Sequence, residues 1–255
     1  MEVTFLGTGT SQGVPVIACN CAVCQSEDPK DKRLRVSVLI EVNGLNILID
    51  SGPDFRQQML RENVQNLDAI IFTHEHKDHT AGLDDVRAFN FKHNKDMDVY
   101  AHPRVQDALK MEFSYIFAEV KYAGVPLVKL HDISKDEKFS IDYKVEICPI
   151  EVLHHKLPVL GFRIKNFTYI TDAKTISPLE KEKLKGTEVL VLNALRRNEH
   201  ISHLNLQQAL ELIEEIKPKQ AYLTHISHLF DKHEDILKDL PANVSVAFDG
   251  LKIEL

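Results

Sequence analysis

At 255 residues with 44% hydrophobic content and a formal net charge of −7, the chain is long enough to bury a large two-layered core, and its acidity disfavours a broad nucleic-acid-binding surface. No apolar run approaches the ~20 residues of a membrane-spanning helix, and Met1-Glu2-Val3-Thr4-Phe5-Leu6 lacks the basic start of a signal peptide. The expectation is a cytoplasmic protein with no membrane partner, and, since no Pro/Gly/Ser-rich linker divides it, a single domain over 1–255.

Taken in chain order, short strands are predicted near 2–6, 37–42 and 46–50, with Asn43-Gly44 as the hairpin turn between the last two. Further strands are expected near 67–72, 98–101, 145–149, 160–165, 167–171, 188–192, 220–224, 244–248 and 251–255. Helical patterns fall near 54–62, 104–119, 178–184, 205–216 and 231–239. Asn205 with Gln208 gives the fourth a capping-box start. Two successive runs of strands and helices suggest two sheets packed together and covered by helices, an αββα sandwich of the α/β class. Periodicity alone does not separate this from an ordinary α/β sandwich.

Between the strand Leu67–Phe72 and Gly82 lies Thr73-His74-Glu75-His76-Lys77-Asp78-His79. Three imidazoles and a carboxylate in one short stretch supply part of a coordination sphere at little loop-closure cost. A spacing of two would put His74 and His76 on opposing sides of a helix, so the run must be extended or looped to converge on one ion. The competing reading is a solvated, histidine-rich surface loop.

This run, with the preceding Ile49-Asp50-Ser51-Gly52, resembles the metallo-β-lactamase superfamily of hydrolases over nearly the whole chain. The resemblance implies three later ligands: His154, Asp172 in Tyr169-Ile170-Thr171-Asp172, and His225 in Leu223-Thr224-His225. One ion would be held by His74, His76 and His154, the other by Asp78, His79 and His225, with Asp172 bridging. Two such ions, about 3.5–4 Å apart, would share a hydroxide at neutral pH. Asp50 is read as accepting the free N–H of a ligating histidine and fixing its tautomer, or else as a turn aspartate before Gly52. His155 exchanges roles with His154 if the strand register slips by one.

Cys19-Asn20-Cys21-Ala22-Val23-Cys24 gathers three of the four cysteines into six residues. In a cytosolic chain this reads as zinc before disulfide, and His228, three residues after His225, offers the fourth ligand of a closed structural site. A redox pair or incidental loop cysteines are the alternatives. Cys148, in an apolar strand, reads as a core thiol.

The N-terminal Gly7-Thr8-Gly9-Thr10-Ser11-Gln12-Gly13-Val14-Pro15, the cysteine loop and Thr224-His225-Ile226-Ser227-His228-Leu229-Phe230-Asp231 bring the resemblance closer, to the PhnP-like phosphodiesterase branch. It implies a small or cyclic phosphodiester substrate similar to phosphoribosyl cyclic phosphate, two active-site divalent ions (Zn or Mn) and one structural Zn. It also implies a histidine that assists the leaving group, matched to His203 with His200 competing, so the catalytic pair is His203 and Asp78. Arg87 either binds a substrate phosphate by its planar fork or pairs with Asp84 or Asp85. The alternatives carried forward are a tRNA 3′-processing-type endonuclease, a thioester, lactone or lactam hydrolase of the same fold, and a non-enzymatic zinc-binding module. Residues 113–129 line the pocket or a dimer contact, or form an amphipathic core helix; a homodimer is the default oligomer.

Overall fold

The computed structural model describes residues 1–255. Strand alternation sets its layers. In β2 (Ser37–Val42) and β3 (Leu45–Ile49), Val38, Ile40, Val42, Leu45, Ile47 and Ile49 face one buried cluster, while Leu39 and Leu48 face another. Asn43 and Gly44 join the two strands with φ of 51° and 78°, the left-handed pair that a tight hairpin turn requires.

The first sheet has seven strands. They are β1 (Glu2–Gly7), β2, β3, β4 (Ala69–Ile71), β5 (Met97–Ala101), β6 (Val128–Asp132) and β15 (Lys252–Glu254), in the order β15-β1-β2-β3-β4-β5-β6. Pairing is antiparallel from β15 to β3 and parallel from β3 to β6. The second sheet contains β8 (Val145–His154), β9 (Leu157–Ile164), β10 (Phe167–Ile170), β11 (Thr175–Ile176), β12 (Val189–Asn193), β13 (Gln220–Thr224) and β14 (Val244–Val246). Its order is β11-β8-β9-β10-β12-β13-β14, with β7 (Phe139–Ile141) paired to β8. It too is antiparallel up to β10 and parallel beyond.

A cluster of 23 buried residues, including Phe5, Ile47, Phe162 and Tyr169, fills the space between the sheets. A second, of 19, packs the outer face of the first sheet against α1 (Phe55–Arg61), α3 (Arg87–His93), α4 (Pro103–Glu112) and α5 (Ser114–Phe117). A third, of 21, packs the second sheet against α7 (Leu206–Ile216) and α8 (His233–Leu237). The αββα sandwich read from the sequence is therefore the observed architecture. The capping box is also present: Gln208 N donates to Asn205 Oδ1 and Asn205 N to Gln208 Oε1.

Several boundaries differ from expectation. The helix predicted over 104–119 breaks at Phe113, whose backbone (φ −106°, ψ 44°) leaves the helical region as its ring enters the outer cluster. Beyond α5 the stretch comes to the surface, where Val120 and Tyr122 are exposed, and returns to the outer cluster at Val125. β8 runs five residues past the predicted 149 because Pro149 does not interrupt its pairing with Phe162. Cys148 is half-exposed and belongs to no core cluster, which corrects its reading as a core thiol. No helix is long and apolar enough to cross a membrane.

Candidate metal centres

The functional candidates sit just past strand ends. Asp50 follows β3, the histidine run follows β4, His154 closes β8, Asp172 follows β10 and His225 follows β13. Asp50, Asp172 and His225 have φ of 64°, 57° and 58°, a left-handed conformation that turns each chain sharply at the rim. For residues other than glycine that conformation costs on the order of 1 kcal/mol each and persists where surrounding structure enforces it.

Two glycines make the close approaches. A Cβ on Gly52 would lie 2.1 Å from the Asp78 carbonyl oxygen, and one on Gly82 would lie 2.2 Å from the Gly52 carbonyl oxygen. The Asp50–Gly52 turn thus packs backbone to backbone on α2 (Lys77–Thr80), the helical turn that carries Asp78 and His79. Thr73 to His76 are irregular, with bends at Thr73 and Glu75, and an extended His76 caps α2, so the run is looped as the spacing of His74 and His76 demanded.

Asp50, wholly buried, orders this loop. Its carboxylate accepts the Thr73 N–H at 2.8 Å, the Thr73 hydroxyl at 2.8 Å and His79 Nδ1 at 2.6 Å. His79 Nε2 is then directed away, 3.3 Å from both Asp78 Oδ2 and Asp172 Oδ2. His154 is oriented in the same way, with Nδ1 2.9 Å from the Ser202 carbonyl oxygen. His155 is exposed and turned by a φ of 57°, so the register selects His154. Asp172 Oδ1 lies 3.3 Å from His225 Nε2 and 3.9 Å from His203 Nδ1. Asn193 holds the Asp172 turn through two bonds to the Ala173 backbone, 2.8 and 3.0 Å.

The ligand atoms fall into three sets with every atom within 4.8 Å of the others: His74, His79 and Asp172; Asp78, His79 and His225; His154, Asp172 and His203. The expected triad His74, His76 and His154 does not close to that distance. Instead His76 stands beside it, its ring 4.5 Å from that of His74 and 5.3 Å from that of His154. His203 is drawn in as a neighbour of Asp172, whereas His200 lies one ring further out, 5.1 Å from His203.

The buried Nε2 atoms of His74, His79 and His225 have no hydrogen-bond partner. An unpaired buried polar atom costs about 1–3 kcal/mol, so converging imidazole nitrogens around a carboxylate fit divalent cations. Electrostatics agree. Burial alone would depress His79, yet Asp172, Asp50 and Asp78 push it well above the usual histidine range. Burial would raise Asp172, yet His225 and His79 hold it well below the carboxylate range. Burial, with His79 and His76 adding to it, pulls His74 well down.

The cysteines meet His228 in a second centre. His228 Nδ1 is 3.2 Å from Cys19 Sγ, 3.6 Å from Cys21 Sγ and 3.5 Å from Cys24 Sγ. A tetrahedral zinc with Zn–S near 2.3 Å and Zn–N near 2.0 Å would separate N and S by about 3.6 Å, so the donor set fits that ion. All cysteines are free of disulfides. Burial raises the Cys21 thiol, but the Cys24 N–H and His228 outweigh it and bring it down to about 6. Ile226, between His225 and His228, exchanges backbone bonds with Thr8 and Thr10, so one segment serves both centres.

Arg87 is not brought to the centre. Its guanidinium pairs with the Asp84 carboxylate, which also accepts the Tyr115 hydroxyl, so the ion-pair alternative replaces phosphate binding. The residues that sequence reasoning passed over are Thr73, Asn193 and Ser202. Thr73 was visible at the head of the motif, but nothing in the sequence indicates that Asn193 or a Ser202 carbonyl reaches its partner.

A family profile described as "Beta-lactamase superfamily domain" matches residues 45–226. A solved structure described as a new diphosphatase from the PhnP family superposes with a TM-score of 0.92 at 39% identity, covering 100% of this chain and 97% of that one. An octanoyltransferase of Porphyromonas gingivalis is 42% identical over 255 residues, 99% of this chain and 51% of that protein. A ribonuclease Z of Nostoc punctiforme is 27% identical over 168 residues, 64% of this chain and 46% of that protein. The chain thus spans about half the length of these two curated relatives.

Proposed function

The chain belongs to the metallo-β-lactamase superfamily, and from that premise we propose that it hydrolyses a small phosphoester whose phosphorus carries two bridging oxygens, a phosphodiester or a diphosphate. The observation that carries this reading is the convergence of unpartnered, buried imidazole nitrogens on the Asp172 carboxylate. His74, His76 and His154 would hold one divalent ion and Asp78, His79 and His225 the other, with Asp172, which lies against His74, His79, His154 and His225, available to both. Ions bound there would activate water near neutral pH and neutralise charge developing on the phosphoryl oxygens.

The chain's own groups set the rest. Asp50 and the Ser202 carbonyl fix the tautomers of His79 and His154, so each presents Nε2 without rotating. His203 lies 3.9 Å from Asp172 and stacks 4.8 Å from the His225 ring. Burial, together with His225, pushes it down to about 2, so it enters as a neutral imidazole. Beside a bound phosphate it would stand where it can carry the proton lost by the attacking water to the departing alkoxide.

The description of the PhnP-family neighbour as a diphosphatase supports phosphorus as the centre attacked. An acyl reading, hydrolysis of a thioester or ester, is the second one, favoured by the octanoyltransferase likeness across 99% of the chain. Metal-replete protein tested on a bis-aryl phosphate, a cyclic nucleotide, a diphosphate diester and a thioester separates them. The expected result is turnover of the phosphorus substrates. His203→Ala should slow those with poor leaving groups far more than aryl esters; preference for the thioester would overturn the phosphoester reading.

A further inference from the structure

The centre leaves one charged residue at its rim without a task. Arg104, in the first turn of α4, has its N–H 3.2 Å from Nδ1 of the capping His102, which anchors its backbone. Its Nη2 donates to the Pro158 carbonyl oxygen at 2.5 Å and stands 3.1 Å from Glu75 Oε2. Glu75 lies between His74 and His76. Pro158 lies in β9 opposite Leu153, one register step from the His154–Leu157 pair.

A single guanidinium therefore touches the loop of one sheet that presents His76 and the hairpin of the other that presents His154. One backbone bond, Leu160 N to Thr73 O at 3.0 Å, ties the same two segments nearby. The side chains of Arg104 and Glu75 are 35% and 22% exposed, so their pairing adds little to global stability. What it can set is spacing. Both contacts come from Nη2: the one to Pro158 is a hydrogen bond and the one to Glu75 a close charge pair without hydrogen-bond alignment, so one planar head tethers the two segments.

We propose that Arg104 is a positioning residue for the ion that His74, His76 and His154 would hold, fixing the separation of His76 from His154 across the two sheets. The inference rests on the two-metal reading above. It is tested on full-length protein stripped with chelator and titrated with manganese, free Mn being followed by electron paramagnetic resonance and cysteine-site zinc counted separately.

Wild type should bind two manganese ions. Arg104→Ala should retain one at unchanged affinity and bind the other roughly tenfold to hundredfold more weakly, with the thermal midpoint of the stripped chain unmoved. Arg104→Lys should recover part of the loss. Glu75→Gln should repeat it in milder form, and carries the test if Arg104→Ala does not fold. Wild-type affinity at both sites in the variants overturns the proposal; so does equal weakening of both ions or a matching fall in the stripped midpoint, which would mark Arg104 as merely structural. Fewer than two manganese ions on wild type would instead sink the two-metal reading itself.

Discussion

The two candidate centres draw on one segment, His225 to His228, yet they are built on opposite principles. Around His228 the donors are three thiols from a Gly/Pro-punctuated loop, and the backbone N–H groups of Val16 and Cys24 point at sulfur. Such a set closes on itself. Around Asp172 the donors come from separate strand ends on two sheets, and two of the rings are aimed by partners behind them, His79 by Asp50 and His154 by the Ser202 carbonyl. A centre assembled from rigid strand ends and oriented from outside leaves its inner face free for substrate, whereas the cysteine loop orders only itself and its neighbours.

The sharpest way to break this contrast is Asp172→Asn. Loss of a carboxylate shared between the two sets should cut kcat/KM roughly thousandfold, about 4 kcal/mol of transition-state stabilisation. Cysteine-site zinc should stay at one per chain. Steady-state kinetics with metal analysis checks both, and an unimpaired rate would remove Asp172 from the reaction centre. Cys24→Ser should do the reverse. It should release that zinc and lower the thermal midpoint by several degrees, about 2 kcal/mol for a chain of this size. Activity should fall only about tenfold, through the Ile226 bonds to Thr8 and Thr10, on the same order as losing one residue that orients a metal-binding histidine. A thousandfold loss would mean that the two centres are one functional unit.

How far each centre was legible follows from the same contrast. The cysteine loop is local, so its thiols are visible in six consecutive residues, and the histidine run is likewise compact. The later residues, His154, Asp172 and His225, are isolated in sequence and were reached through family resemblance, because the sheet order that brings β8, β10 and β13 to one rim leaves no local mark. Two successive runs of strands and helices suggest two packed sheets, but periodicity alone does not separate that from an ordinary α/β sandwich, and the superfamily resemblance supplies the rest. The 104–119 helix was legible apart from its break at Phe113, where tertiary burial overrode a helical pattern. Arg87 stands in the sequence between phosphate binding and an ion pair, because its nearness to the motif and its three-residue spacing to Asp84 on a helical turn are equally good clues; the pair with Asp84 is what forms.

The smallest expected effect tests what holds the cysteine loop in place. Asp249, whose side chain is only 7% exposed and lies 3.5 Å from Arg61, accepts the Thr8 hydroxyl at 2.8 Å and the Leu34 N–H at 2.7 Å, so it grips both flanks of the segment that carries the cysteines. Burial pushes its carboxyl up to about 6, against the pull of those two donors. A carboxyl raised on folding contributes stability that is fully present below its unfolded value near 4 and is lost as pH climbs through about 6. Across that window ionisation of the buried group should subtract stability, against the gain from histidines such as His203 that burial holds neutral. Asp249→Asn keeps one acceptor and cannot ionise, so its stability relative to wild type should rise from about pH 4 to about pH 6, measured by urea titration with zinc present. If the variant keeps the wild-type slope, another group governs that range. If it also sheds zinc, the grip on Thr8 and Leu34 is what keeps the thiols facing His228, and the closed centre depends on its surroundings as much as the open one does.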